Sequence, residues 1–274
     1  MTSRMPKFGN MANPAENTME EIEKIGKLGF DFVEISIEGP KAFPENLRRN
    51  KAKILKLLKR HGMFAVGHTM WWNDLGSPYE HVRKGWVQES KNAIDVAGEL
   101  GIKLVNFHFD NVPSILLRDG KTRKKILDNY VKSLRELAAY GKSHGVAIML
   151  ENGAFSRDFS DAATYRYVAD RVREVGVHLD VGHAFIHGGM ANVLRFIRTF
   201  KKRIVHVHIH DNYGSEDDHL PLGTAKIDYE KIAKELKKIG YSETVTFEVF
   251  TRDRDLAAYS MKKFRDAWNG QKTD

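Results

Sequence analysis

The chain of 274 residues contains no cysteine, so disulfide bonds and thiolate metal ligands are excluded. Any metal must therefore be held by histidine, aspartate and glutamate. The sequence also lacks an apolar run of the roughly 20 residues that a membrane helix needs. No apolar core follows the basic residues of the N-terminal stretch Met1–Thr18, as a secretory signal would require. We therefore expect a cytoplasmic protein without a membrane partner.

The formal net charge of +8 leaves two interpretations open. The excess Lys and Arg could attract nucleic acid or phosphorylated substrates. They could equally lie on solvated helix faces, because Leu and Ile recur at helical spacing in the basic segments Lys51–Arg60 and Lys121–Lys132. We favour the second interpretation. A hydrophobic content of 42% is sufficient for a well-packed core.

Short β-rich runs alternate with longer amphipathic segments along the whole chain. The predicted strands are Lys7–Met11, Asp31–Ile37, Phe64–Thr69, Lys103–Phe109, Ala147–Asn152, Val177–Gly182, Ile204–His210 and Thr244–Phe250. Several of the intervening segments end at a glycine, which is typical of helix C-termini. Eight strands and about eight helices without a linker predict one (β/α)8 TIM barrel over residues 1–274. A doubly wound open sheet is the competing architecture, but no glycine-rich phosphate motif follows the early strands.

Histidines and carboxylates recur at the predicted strand ends, where barrel active sites lie. They are His68, His108, Glu151, Asp180, His183, His208 and Glu248, contributed by six successive strands. Alternation places Asn106 on the face of His108, and puts His206, His208 and His210 on one common face. We expect His206, the deepest of the three, to be a hydrogen-bonded interior residue.

A single buried histidine or glutamate usually finds a hydrogen-bond partner in a neighbouring residue. Neighbours alone do not readily compensate many such groups at one barrel mouth. Carboxylates packed together without compensation would each cost several kcal/mol. A shared cation removes that cost, and oxygen and nitrogen ligands admit Zn2+, Mn2+, Co2+ or Mg2+. The pattern therefore predicts a divalent metal site.

Five motifs resemble the xylose isomerase-like TIM-barrel superfamily, which includes sugar isomerases and epimerases, inosose dehydratases and endonuclease IV. They are LEN at Leu150–Asn152, DVGH at Asp180–His183, HIHD at His208–Asp211, DDHLPLG at Asp217–Gly223 and FEV at Phe247–Val249. The resemblance covers nearly the whole chain in order and spacing. It is specific for the superfamily and much less specific for the reaction.

The resemblance to the sugar isomerases and epimerases implies four metal ligands: Glu151, Asp180, His208 and Glu248. It implies that the cation grips a carbonyl and an adjacent hydroxyl of the sugar, and that the two glutamates move protons through a metal-stabilised enediolate. His183 would orient a substrate hydroxyl. We also place Asn106 and His210 on the substrate side. Trp71, with Trp72, would form an apolar wall against a sugar ring or, alternatively, pack on a neighbouring loop.

A second resemblance within the superfamily is to endonuclease IV. The stretch Gly67–Pro78 resembles a loop of that enzyme and places His68 on a zinc ligand. The further matches to its three-zinc site are His108, His183, Asp217 and His219. Three departures oppose this reading: His108-Phe109-Asp110 replaces His-Pro-Gly, an opening histidine motif is missing, and GAFSRDFSD follows Glu151-Asn152.

Our first prediction is therefore a sugar or sugar phosphate isomerase or epimerase that holds one divalent ion. The alternative is an abasic-site endonuclease with up to three zinc ions and DNA as its partner. A non-catalytic sugar-binding module is disfavoured, because a site without catalytic activity would not need the complete set of metal ligands. Arg157 and Lys226 are candidates for a substrate phosphate, although solvation is the simpler expectation. Glu34 and Glu38 are expected to reach the pocket or pair with a nearby lysine, and we favour structural roles. Barrels of this kind often pair, so a homodimer is also considered.

Overall fold

The computed structural model describes residues 4–109 and 112–271 and shows a closed barrel of parallel strands. The strands are β1 (Lys7–Met11), β2 (Phe32–Ile37), β3 (Phe64–Thr69), β4 (Leu104–Phe109), β5 (Ala147–Asn152), β6 (Gly176–Asp180), β7 (Ile204–Ile209) and β8 (Thr244–Phe247). Each strand pairs with its neighbour in chain order. The ring closes between β1 and β8, where Lys7 lies opposite Thr244 and Asn10 opposite Phe247.

Helices fill every connection within these described ranges. They are α1 (Thr18–Lys27), α2 (Pro44–His61), α3 (Glu80–Glu99), α4 (Ser114–Leu117), α5 (Gly120–Ser143), α6 (Arg157–Ser160), α7 (Ala162–Ala169), α8 (Val181–Phe200), α9 (Tyr229–Lys238) and α10 (Asp255–Asn269). The predicted (β/α)8 barrel is thus confirmed and the open doubly wound sheet is wrong. The short α4 and α6 are additions to the predicted pattern, and they follow β4 and β5 on the side where the predicted site lies. No helix among the described residues is both long and apolar enough to cross a membrane.

Local sequence explains where several helices begin and end. The Asn17 side chain accepts the backbone N–H of Met19 and so caps α1, and the Asp228 side chain caps α9 in the same way. The helix α2 begins at a proline and ends at Gly62, whose φ of 65° lies in the left-handed region that favours glycine.

The barrel interior changes from apolar to polar along the strands. Phe32, Val66 and Met149 form a small buried cluster separate from the main core between strands and helices. Two residues further along the same strands stand Glu34, His68 and Glu151, which are also buried. Because side chains two apart share a face, the apolar cluster closes one end of the lumen and the polar residues occupy the other.

Three strands end earlier than predicted: β7 stops at Ile209 rather than His210, and β6 and β8 stop two and three residues early. The sixth strand was expected to run to Gly182, but β6 ends at Asp180 because the Asp180 carboxylate accepts the backbone N–H of His183 and begins α8. The eighth was expected to run to Phe250, but β8 ends at Phe247. Asp110, which ends the His108-Phe109-Asp110 stretch, lies outside the described residues.

Candidate metal centre

Four predicted ligands converge at the ends of four adjacent strands. One donor atom each from Glu151, Asp180, His208 and Glu248 lies within 4.8 Å of the others. All four side chains are buried. Because β5, β6, β7 and β8 are hydrogen-bonded in that order, the ring of strands brings these groups together. Three carboxylates and an imidazole at such separations form a donor set that a divalent cation can bind.

The predicted histidines of β3 and β4 lie on one side of this set. His68 Nε2 is 3.2 Å from His108 Nε2, which in turn is 3.1 Å from Glu151 Oε2. Donor atoms of these three residues also lie within 4.8 Å of one another. The structure therefore brings His68 and His108 next to the four-residue set rather than leaving them as isolated core histidines.

The long loop after β7 supplies the remaining predicted donors. Asp217 Oδ2 lies 3.1 Å from His183 Nε2 and 3.0 Å from His219 Nε2. Asp217 Oδ1 lies 3.4 Å from His210 Nε2, and that nitrogen is 3.5 Å from Asp180 Oδ1. The loop thus folds back over the strand ends and brings Asp217 and His219, which the resemblance to endonuclease IV implied as ligands, close to His183.

Backbone groups orient two of these histidines. The Nδ1 of His183 is 2.8 Å from the carbonyl oxygen of Asn152, and the Nδ1 of His219 is 3.1 Å from that of Glu248. In each ring, Nδ1–H donates to the carbonyl, and Nε2 faces the Asp217 carboxylate. The Asn152 side chain also bridges β5 to β6, because it bonds both the N–H and the C=O of Asp180.

Gly182 makes room for His210. A Cβ added at Gly182 would lie 2.0 Å from His210 Cε1, so any larger residue would displace the ring. His210 is fully buried and stands behind Asp180 and Asp217 rather than on the cavity wall. The glycine of the Asp180–His183 motif therefore has a packing role that the sequence pattern alone did not reveal.

Asn106 is also fully buried and does not line the cavity. Its Nδ2 donates to Glu151 Oε2 at 2.5 Å, and its Oδ1 accepts the backbone N–H of Thr69 at 2.7 Å. The geometry places Asn106 behind a candidate ligand, where it orients the Glu151 carboxylate. The expected substrate contacts of Asn106 and His210 stay predictions.

Burial and opposite charges compete in setting the ionisation of the centre. Burial opposes charge on Glu151, but the imidazole of His178 and other histidines outweigh it and hold the pKa of Glu151 well below its usual range. Glu248 behaves alike, since His208 and His219 lower its pKa to about 2 despite burial. Burial disfavours a charged His219, yet Glu248 helps to raise the pKa of His219 to about 9. The carboxylates of this centre thus draw positive charge onto the surrounding imidazoles.

Several donor atoms of the centre have no hydrogen-bond partner, although they are buried. Among the described residues these include Asp180 Oδ2, Asp217 Oδ1, both ring nitrogens of His210, and the Nδ1 atoms of His68 and His108. Buried polar atoms are rarely left unpaired without a reason. Unpaired oxygen and nitrogen donors around one space, with excess carboxylate charge, fit a divalent cation.

A cavity of about 510 Å³ opens above these groups. Exposed aromatic side chains stand at its mouth: Trp71, Trp72, Phe155 and Phe250. The Trp71 and Phe155 rings are 5.2 Å apart, so Trp71 both lines the cavity and packs on a neighbouring loop. Four carboxylates line the wall: Glu38, Glu151, Asp217 and Glu248. No Lys or Arg of the described ranges lines it, and Arg157 and Lys226 lie elsewhere.

Two acidic residues, one in the second strand and one directly after it, were only partly anticipated. Glu34 contacts His206 and His208 in the barrel interior, and of the two alternatives considered, pairing with a lysine is not found among the described residues. His206 is the hydrogen-bonded interior residue that we predicted. Glu38 lines the cavity with an oxygen 3.5 Å from His68 Nδ1. The available signal was the position of both glutamates on the inward face of a barrel strand or of its direct continuation.

Comparison with known proteins agrees with this geometry. The chain is 30% identical over 240 residues to an uncharacterized protein of Methanocaldococcus jannaschii, covering 85% of this chain and 79% of that protein. It is 24% identical to a probable endonuclease 4 of Aquifex aeolicus, covering 84% and 83% of the two chains. A solved structure described as a D-tagatose 3-epimerase-like protein superposes with a TM-score of 0.83 at 28% identity, covering 96% and 98%. Residues 22–267 match the family described as xylose isomerase-like TIM barrel. The chain therefore belongs to the xylose isomerase-like TIM barrel family.

Proposed function

We propose that this protein is a divalent-metal-dependent sugar isomerase or epimerase. The observation that carries the proposal is the convergence of Glu151, Asp180, His208 and Glu248 within 4.8 Å beneath a cavity with aromatic walls. Similarity to a D-tagatose 3-epimerase-like structure over almost the whole chain supports it. Both features fit a small carbohydrate bound against the strand ends of the barrel.

The residues that would hold the cation are those four, which offer carboxylate oxygens and one imidazole nitrogen. Such a set admits Mn2+, Co2+, Zn2+ and Mg2+. When bound, a divalent cation supplies Lewis acidity, which polarises a carbonyl and acidifies the neighbouring C–H. We expect one ion per chain for this reaction.

The proton transfers are assigned to Glu151 and Glu248. Charges in the centre keep the pKa of each carboxyl low, so both are in the ionised form that a general base needs. One carboxylate takes the proton from the carbon next to the carbonyl. The other takes up a proton from solvent and returns it to the opposite face or to the adjacent carbon, and the first carboxylate then releases its proton to solvent. His183, on the cavity wall, would hold a substrate hydroxyl.

The charge of the cavity wall favours an uncharged sugar over a sugar phosphate. Phosphate groups are commonly bound by Arg, Lys or backbone N–H groups at helix N-termini. Here Glu38, Glu151, Asp217 and Glu248 face the cavity, and the described part of the wall carries no Lys or Arg side chain. The exposed Trp71 ring, with 46% of its surface accessible, offers an apolar face for a sugar ring.

An abasic-site endonuclease is the second candidate, and one observation favours it. Beyond the four central ligands, the groups His68–His108–Glu151 and Asp180–His183–His210 each bring three donors within 4.8 Å. This geometry offers further cation sites, as a multinuclear phosphodiesterase requires. The relative named as a probable endonuclease 4 supports the same reading. The acidic cavity wall opposes it, because DNA phosphates need basic contacts.

The decisive experiment measures metal content and sugar chemistry on one preparation. Protein purified without chelator is analysed for metal per chain, then incubated in heavy water with free ketohexoses and with their phosphates. We expect one ion and incorporation of deuterium into the free sugar. Glu151→Gln and Glu248→Gln should each abolish the exchange, whereas Glu216→Gln, an exposed residue of the loop after β7, should not.

Three ions per chain together with nicking of a duplex that carries an abasic analogue would replace the first candidate with the second. Unchanged deuterium exchange in either catalytic variant would remove the roles assigned to the two glutamates. Equal exchange with the phosphorylated sugars would remove the preference for an uncharged substrate.

A further inference from the structure

His208 faces the candidate metal centre with one ring nitrogen only. Its Nδ1 lies 2.9 Å from Glu248 Oε2 and 3.7 Å from both Glu151 Oε1 and Asp180 Oδ2. Its Nε2 points away from these carboxylates and lies 2.9 Å from Glu34 Oε2. The two nitrogens of this ring therefore contact carboxylates on opposite sides.

Glu34 reaches His208 from across the barrel. It stands on β2, which is not a hydrogen-bonded neighbour of β7, and its side chain is fully buried. Its Oε2 accepts from Thr246 Oγ1 at 2.6 Å and lies 3.1 Å from His206 Nε2. The other nitrogen of His206 is 2.6 Å from Thr244 Oγ1. One carboxylate oxygen thus receives three donors, and each of them comes from β7 or β8.

This arrangement determines which nitrogen of His208 carries the proton. A carboxylate is an acceptor only, so the Nε2 that contacts Glu34 must donate. Nδ1 faces three carboxylates, so with a cation bound among them this nitrogen carries the lone pair and Nε2 keeps the proton. A lone pair among carboxylates is repelled unless a cation lies between them. The same tautomer that satisfies Glu34 therefore makes His208 a ligand.

His183 and His219 are oriented by peptide carbonyls, which no side-chain substitution removes. His208 differs because its anchor is a side chain. Outer carboxylates that bind the far nitrogen of a ligating histidine fix its tautomer and strengthen its bond to the metal. Glu34 has the geometry of such a group.

We infer that Glu34 is a positioning residue of the metal centre. It holds the Nε2–H tautomer and the ring orientation of His208 from behind, and it touches neither substrate nor metal. This inference rests on the proposed metal-dependent function. It gives β2, which contributes none of the four central ligands, a part in building the site.

The test compares the affinity of wild-type protein and Glu34→Gln for Co2+ alone, by competition with a chromophoric chelator. We expect the affinity to fall about 10- to 100-fold in Glu34→Gln, with a changed Co2+ absorption band. The matched control is Glu21→Gln. Glu21 is a buried carboxylate of α1 that pairs with Arg254, away from the centre. This control should lose stability without losing Co2+ affinity.

Equal Co2+ affinity in wild type and Glu34→Gln would overturn the positioning role alone, and a wild-type protein that binds no Co2+ would overturn the proposed function with it. If Glu34→Gln does not fold, a second measurement on wild-type protein still tests the inference. Long-range 1H–15N spectra of wild-type protein labelled at histidine and loaded with Zn2+ should show His208 protonated at Nε2. A proton on Nδ1 would contradict the inference.

Discussion

The carboxylate of Asp211 accepts the backbone N–H of Ala225 at 2.8 Å, fourteen residues further along the chain. Four other backbone N–H groups donate to the same side chain: those of Asn212, Gly223, Thr224 and Ile227. Asp211 is fully buried at the end of β7. One side chain therefore organises the loop that carries Asp217 and His219 over the candidate metal centre.

Replacing this carboxylate should destabilise the protein strongly. Asp211→Ala leaves five N–H groups without their charged acceptor, and we expect the free energy of unfolding to fall by about 3–5 kcal/mol. Denaturant unfolding measures this loss, and hydrogen exchange should rise in residues 212–228. Asp218→Ala is the control in the same loop. Its carboxylate accepts one exposed N–H, that of Tyr213, so a loss below about 1 kcal/mol is expected. Equal losses in the two variants would contradict this role of Asp211.

Substitution of Gly182 tests packing, because the sign of the stability change distinguishes a gain in helix propensity from a clash with His210. Alanine is preferred over glycine in helices by up to about 1 kcal/mol. Gly85→Ala in α3 should show this gain, because nothing lies within 4 Å of the added Cβ. Gly182→Ala in α8 should instead destabilise, since its Cβ meets the His210 ring. Thermal unfolding of the two variants compares them directly. A stabilised Gly182→Ala would show that His210 moves without cost.

Asp74 should make stability depend on pH. Burial raises the pKa of Asp74 to about 6, although hydrogen bonds from Ser77 and Gly76 oppose the shift. A raised carboxyl pKa in the folded state stabilises the protein at low pH, and this contribution is lost as the pH rises from about 4 through 6. We expect Asp74→Asn to be more stable than wild type by about 1–2 kcal/mol at pH 8. The two proteins should converge near pH 4.

Urea unfolding at a series of pH values measures this convergence. Asp119→Asn is a control for which the stability contribution should change with pH in the opposite direction. Hydrogen bonds from the hydroxyl and backbone N–H of Thr122 lower the pKa of Asp119, so its contribution is present at neutral pH and lost in acid. A stability difference for Asp74→Asn that does not change with pH would contradict the raised pKa.

Trp71 should contribute to the binding of a sugar under the proposed function. The ring is 46% exposed on the cavity wall and packs on Phe155. Removal of an aromatic face costs about 0.5–1.5 kcal/mol of binding, so Trp71→Ala should raise KM about two- to twelvefold. Trp71→Phe, which keeps an aromatic face, should restore most of the affinity. Steady-state kinetics on the sugar identified by deuterium exchange provides the measurement. An unchanged KM in Trp71→Ala would assign Trp71 to loop packing alone.

The strands of this barrel could be predicted because their hydrophobic pattern is local. Each of the eight predicted runs corresponds to an observed strand, and the bounds differ by up to three residues. Asp180 is the clearest case, since its capping of α8 competes with continuation of β6. Periodicity reports burial along one strand, whereas a cap depends on the geometry of the following turn.

The candidate site was predictable to the extent that strand ends meet at one rim. Glu151 and Glu248 could be placed there from their positions in the chain. The partner of Glu34 could not, because β2 and β7 are separated around the ring and meet only through the lumen. Phe155 was missed for a similar reason: its contact with Trp71 depends on the paths of two loops, which the pattern of either loop does not encode.

Pairing of β8 with β7 has a consequence for how the cation site arises during folding. Glu248 follows the last strand, so the four donors are complete only when β8 has docked against β7. A chain arrested before that step holds three of them at most. Only chains in which β8 has docked should therefore bind the ion tightly. A metal titration during refolding would count these chains.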